Sequence, residues 1–205
     1  MVLSMNFSKE TWIESRQGAA GVTNLLFSRA NTFDLSAGPA RRLSVSVAGM
    51  SAGTILAVES SGRAIEVSDG SSLTVMLPTE GTVEVEVEKA RYRAERGGIL
   101  CFAPSHRKTQ VFRSERADFA SLMLKVPLDR DSRANPWMGA DPFVAVDEAQ
   151  ARSIAHLLRY VLGGLEGGAQ GLISGKAAQL AQALVQEHLR ALLNRALAGC
   201  HVRCT

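Results

Sequence analysis

Residues 82–95 read TVEVEVEKARYRAE. Val83, Val85 and Val87 alternate with Glu84, Glu86 and Glu88, the period of two that turns one side of a β-strand to a core and the other to water. If Lys89 and Ala90 form a two-residue turn, Glu88 falls opposite Arg91, Glu86 opposite Arg93, and Val87 meets Tyr92 on the inner face. Lys-Ala is poor chemistry for a type I′ turn, so a longer loop stays open. The opposed charges read as a solvated face, each pair contributing roughly a few tenths of a kcal/mol.

Outward from this hairpin the same short-strand pattern continues. Residues 22–28, 43–49, 54–60, 64–68, 73–77, 82–88, 90–95, 98–102, 108–113 and 119–126 read as strands separated by turn chemistry, with no helical period among them. Many short strands at close spacing predict a β-sandwich, jelly roll or barrel over residues 1–128. Residues 127–146, PLDRDSRANPWMGADPFVAV, carry three prolines and no period. They read as a connection leaving the sheet, with 129–146 as the linker proper.

Helices are expected next. Asp147 can cap a segment in which Ala151, Ile154, Ala155, Leu158 and Leu162 follow helical spacing, ended by Gly163 and Gly164. The loop GGLEGGAQG then precedes a second helix over about 174–198, with Leu180, Leu184, Leu189, Leu192 and Leu193 on its apolar side. This much leucine is hard to bury on one sheet face. The region 147–199 is therefore read as a helical dimerisation subdomain, with 200–205 as a tail.

The chain has 205 residues, 46% hydrophobic and 21% charged, which suits a globular fold with a real core and excludes general disorder. No run approaches the roughly 18 consecutive apolar residues of a membrane helix, and the N-terminus shows no basic-then-apolar leader pattern. A cytoplasmic location is expected. Twenty-three basic and 20 acidic residues give a net charge of +3, with pairs such as Arg41 and Arg42 or Arg91 and Arg93 scattered among glutamates. No basic stripe for nucleic acid is visible. Cys101, Cys200 and Cys204 have no framework spacing and fit reduced thiols. Cys200, His201 and Cys204 fall one ligand short of a structural zinc site.

The motifs with chemical precedents lack their contexts. Gly49-Met50-Ser51-Ala52-Gly53 matches G-x-S-x-G but joins two strands, whereas the nucleophile elbow needs a strand-to-helix turn. His106, His156, His188 and His201 are dispersed, and the β region holds only His106, so the paired histidines of a metal-binding β-barrel enzyme are absent. GGLEGGAQG lacks the Lys-Ser/Thr of a phosphate-binding loop and sits between helices. The expectation is no catalytic residue, no metal and no cofactor.

Residues 73–127 resemble the N-terminal sensing domain of AraC-type transcription regulators. A strand runs into a short glycine turn, here 78–81. A hairpin follows, here 83–95, and then a glycine turn at Gly97 and Gly98 feeds a strand closing on Pro104. Two helices after the barrel match the family's dimerisation helices. The resemblance implies a cupin-like jelly-roll β domain followed by a two-helix dimerisation subdomain. It also implies a small-molecule effector inside the barrel, a homodimer, and DNA contact only through a C-terminal helix-turn-helix domain absent from this chain.

On that resemblance Met76, Tyr92, Phe102 and His106 are candidates for lining the effector pocket, each equally readable as a core or rim side chain. Arg42 is a candidate for holding an anionic effector. Function does not follow from fold alone. A small cupin-fold enzyme, a metal-dependent isomerase or dioxygenase, is the alternative, and a filled structural barrel is a third reading. The strand-to-strand setting of Ser51 predicts that a fluorophosphonate probe leaves it unlabelled, as read by peptide mass spectrometry.

Overall fold

The computed structural model describes residues 6–13, 30–35, 41–50, 53–68, 71–128, 143–146 and 148–166, with isolated positions between 176 and 191. Among them, two antiparallel sheets face each other and one helix covers the outer side of the larger. The larger sheet is built from β1 (Asn6–Ile13), β3 (Arg42–Met50), β4 (Gly53–Ser60), β6 (Ser72–Glu80), β9 (Gly98–Phe102), β11 (Phe119–Pro127) and β12 (Phe143–Val146). Its order is β1-β3-β4-β11-β6-β9-β12. The smaller sheet contains β2 (Ala30–Leu35), β5 (Arg63–Ser68), β7 (Thr82–Val87), β8 (Ala90–Glu95) and β10 (His106–Phe112), in the order β2-β5-β10-β7-β8. Helix α1 spans Glu148–Glu166.

The two sheets differ in how many faces they bury. β10 alternates exposed and buried along its length, the signature of a strand with one wet face. β9 is buried at every position, as are the first seven residues of β6, because the larger sheet is covered on both sides. Alternation along β6 sends Leu73, Val75 and Leu77 to α1, where they pack with Ile99, Leu122, Leu124, Ile154, Leu158 and Val161. It sends Met76 the other way, into a core between the sheets with Leu56, Val85, Leu100, Phe119 and Met123. Each large apolar side chain removed from water in these two layers contributes about 1.5–3 kcal/mol.

The quoted hairpin forms with its faces as read and its register moved by one residue pair. Glu84 lies opposite Arg93, Val85 opposite Tyr92 and Glu86 opposite Arg91. The turn is Glu88-Lys89, and Glu88 takes the left-handed backbone at φ 56°. Moving the turn back by one residue shortens the first arm and lengthens the second, so every partner shifts by two residues and the valines still face inward. Arg91 Nε lies 3.1 Å from Glu86 Oε2, and Arg93 Nη1 lies 3.3 Å from Glu84 Oε1, all on the solvated face.

Several expectations need correction. Strands β1 and β2 form where the sequence pattern predicts none, because neither alternates strongly, and the strand expected at 22–28 lies outside the described residues. Part of the expected linker is β12, which pairs Phe143–Val146 with Gly98–Cys101 and closes the free edge of β9. Helix α1 does not stop at Gly163 and Gly164 but runs on to Glu166, whose carboxylate receives a 2.7 Å hydrogen bond from Lys9 Nζ on β1. Each glycine costs a helix about 1 kcal/mol, less than the burial of Val161 and Leu162 beside them returns. The second helix of the expected pair is seen only at isolated positions, with helical backbone at Leu180 and Leu184. Leu189, Leu192, Leu193 and the 200–205 tail lie outside the described residues, as does Ser51. Met50 and Gly53 pair directly across a β3–β4 hairpin, the strand-to-strand setting read from the sequence.

Gly81 alone joins β6 to β7. It adopts φ +74°, and a Cβ there would sit 2.2 Å from the backbone oxygen of Phe112. Gly81→Ala is expected to destabilise the fold by about 2 kcal/mol or more, read as a lower urea midpoint with an unchanged slope.

Candidate functional site

The space between the sheets is not uniformly apolar. Arg63, Thr74, Arg107, Thr109 and Ser121 are all buried there among the core side chains. Arg63 shares an alternation face with Ile65 and Val67 on β5, and Arg107 shares one with Thr109 and Val111 on β10. Thr74 is in phase with Met76 on β6, and Ser121 with Met123 on β11. Backbone alternation therefore forces these polar groups inward along with the valines and methionines that anchor the sheets.

The two arginines lie toward opposite ends of the interior. Arg63 pairs with Val111 of β10, and Arg107 lies four residues along the same strand, a separation of about 13 Å at 3.3 Å per residue. Both are only 1% exposed. The Arg63 guanidinium stands over the Phe119 ring at 5.5 Å, and that of Arg107 over Phe102 at 4.3 Å, so each charge rests on an aromatic face. Arg63 Nη1 donates to Ser60 Oγ at 3.2 Å, and Arg107 Nη1 donates to the Ser105 carbonyl at 3.4 Å.

Arg63 keeps a further edge unspent. Its Nε and Nη2 are buried without a hydrogen-bond partner, and the hydroxyls of Thr74, Thr109 and Ser121 are likewise unmatched. Burial pulls the Arg63 pKa down to about 10, which still leaves the group charged at neutral pH. A buried cation resting on a ring and one hydroxyl, with no carboxylate among its described partners, is costly. An arrangement of this kind suits a site that receives a complementary group.

The residues expected to line a pocket separate into two groups. Met76 and Phe102 face the interior, Phe102 directly beneath Arg107. Tyr92 is partly buried at the edge of the same core. His106 points outward instead: its Nε2 lies 3.0 Å from Glu66 Oε1, and its Nδ1 lies 3.1 Å from Ser68 Oγ. β10 begins at His106, two residues before the expected start, so Arg107 is the residue that turns inward. Arg42 also lies on the outer side, 3.6 Å from Glu59 and half exposed. The structure does not bring His106 or Arg42 to the interior.

Other candidate chemistry is sparse among the described residues. No three of His, Cys, Asp and Glu converge as a metal site. Cys101 faces the α1 side, and burial pushes its thiol up to about 12, so it remains neutral and protected. A groove of about 280 Å³ lies where the start of α1 meets the end of β6 and the β8–β9 turn. Its charges include the Arg96–Glu80 pair at 3.6 Å and the Arg152–Glu148 pair at 3.9 Å.

No protein-family model matches this sequence, and no curated protein does. Among solved structures, the chain is similar to the AraC-like transcriptional activator CuxR at 14% identity. The match covers 90% of this chain and 69% of that one, with a TM-score of 0.65. Lesser likenesses are to a putative glyoxylate induced protein from Pseudomonas aeruginosa (12% identity, 58% and 44% covered, TM-score 0.42) and to protein Ylba from E. coli (11% identity, 64% and 59% covered, TM-score 0.41). The likeness to CuxR is one of fold, and it agrees with the AraC-type resemblance carried by residues 73–127.

A charge only partly compensated in the core predicts an unusual mutational sign. Arg63→Met, close in volume and without the charge, is expected to stabilise the ligand-free protein by about 1–3 kcal/mol. Equilibrium urea unfolding of the two proteins side by side checks this.

Proposed function

We propose that this chain is the small-molecule-sensing and dimerisation part of an AraC-type transcription regulator, a binding module rather than an enzyme. The observation that carries the reading is the polar lining of the inter-sheet space, with a charged Arg63 held in the core while one edge of its guanidinium has no partner. A purely structural shell would be more stable with apolar side chains at those positions. The similarity of fold to an AraC-like activator supports the same reading. In such a regulator the effector occupies the shell and DNA is contacted by a helix-turn-helix part. Work in the cytoplasm fits this role, and no described helix is long and apolar enough to cross a membrane.

Self-association is proposed through the segment after α1. Leu180 and Leu184, one helical turn apart, are 60% and 52% exposed in the single chain. Exposed leucines at that spacing form an apolar stripe that a second copy can cover.

Light scattering at tens of micromolar is expected to give the mass of a dimer for the unaltered chain and of a monomer for Leu180→Arg/Leu184→Arg. A strict monomer for the unaltered chain would remove the dimerisation role.

A further inference from the structure

The chemistry of Arg63 also indicates what class of molecule the shell takes. A guanidinium presents two edges to partners. One is made by its two terminal nitrogens, and the other by Nε together with the terminal nitrogen on the same side, Nη2. Either edge offers two parallel N–H donors, the spacing that a carboxylate accepts with both oxygens. In Arg63 the Nη1 atom is engaged by Ser60 Oγ, and the two atoms without partners are Nε and Nη2. The open edge is thus a complete two-donor fork, buried between the sheets.

The surroundings set the rest of the molecule. Phe119 lies under the guanidinium, and Leu56, Val58, Met123, Val83 and Val111 belong to the same core, so the body of a ligand entering this layer meets apolar surface. Moving along the strands from Arg63 toward Arg107, the next inward layer carries Thr109 on one sheet and Ser121 on the other. Thr109 stands two residues from the Arg63 level along β10, about 7 Å at 3.3 Å each, and Ser121 stands two residues from Phe119 along β11; both hydroxyls are unmatched. Among the described residues no carboxylate pairs with Arg63, so the fork is open to an anion.

We propose that the shell binds a small organic carboxylate whose head group is held two-pronged by Nε and Nη2 of Arg63, with its body against the apolar side chains around Phe119 and extending toward the Ser121–Thr109 layer. This rests on the reading of the shell as a ligand-binding site and adds the charge, the head group and the end of the shell at which it sits.

The test uses the full chain and a graded probe set. The set is butanoate, hexanoate, octanoate, decanoate and benzoate, each beside its matching alcohol and amine, together with neutral hexoses, all scored by thermal shift and then by calorimetry. At least one carboxylate is expected to raise Tm by several degrees, with no rise from its alcohol or amine. Arg63→Met is expected to abolish that rise, and Arg63→Lys to weaken binding at least tenfold, because one ammonium cannot supply two parallel donors. Should the methionine variant fail to fold, Arg63→Lys carries the comparison.

Failure separates cleanly. A rise with alcohols or hexoses, alone or equal to that with the carboxylates, overturns the anion and leaves ligand sensing standing. A carboxylate that binds the Arg63 variants as tightly as the unaltered chain overturns the placement. No rise with any probe overturns both.

Discussion

Covering the seven-stranded sheet on both faces is the constraint from which the rest of this structure follows. One face is closed by the five-stranded sheet and the other by α1, so its central strands cannot use the ordinary division into a dry side and a wet side. β6 shows the result most directly, with Leu73, Val75 and Leu77 against the helix and Thr74 and Met76 against the other sheet. The five-stranded sheet is under no such demand. It spends its outer face on the Glu84–Arg93 and Glu86–Arg91 pairs, which keep the surface soluble and contribute little to stability.

Within this frame the polar groups between the sheets stand out energetically. Threonine and serine hydroxyls in a core cost roughly 1–3 kcal/mol each when unmatched, and an ionised group costs more. Arg63 and Arg107 are made tolerable by the rings of Phe119 and Phe102, which offer an electronegative face without a formal charge. Compensation by a ring is partial. It leaves a preorganised donor fork in a low-dielectric setting, where an incoming anion is held more strongly than at the surface. The stability given up by burying these groups and the affinity available to a ligand have the same physical origin.

How far the site could be read from sequence turned on single residues at strand ends. The sequence pattern starts these strands at Ala64 and Lys108, whereas β5 and β10 begin at Arg63 and His106. Extending RAIEVS and HRKTQVF by those residues puts Arg63 in phase with Ile65 and Val67, and Arg107 in phase with Val111. An arginine in step with the apolar face of a strand was the available signal. His106 has the more versatile chemistry, yet its parity is opposite to that of Arg107 and it faces solvent beside Glu66. Met76 and Phe102 were legible as inward residues because they fall in unbroken apolar runs.

The sequence by itself determined the β character of the first two thirds, the inward faces of most strands, and the amphipathic stripe of α1, because these depend on periods of two and 3.6 that neighbouring residues enforce locally. Tertiary structure decided the hairpin register, the pairing of β12 onto β9 and the run of α1 through two glycines, each settled by long-range partners. It also decided the meeting of Arg63 with Phe119 and of Arg107 with Phe102, since strands distant in sequence must first be brought together. Local periodicity dictates which way a side chain points, whereas only the packed sheets dictate what it finds there.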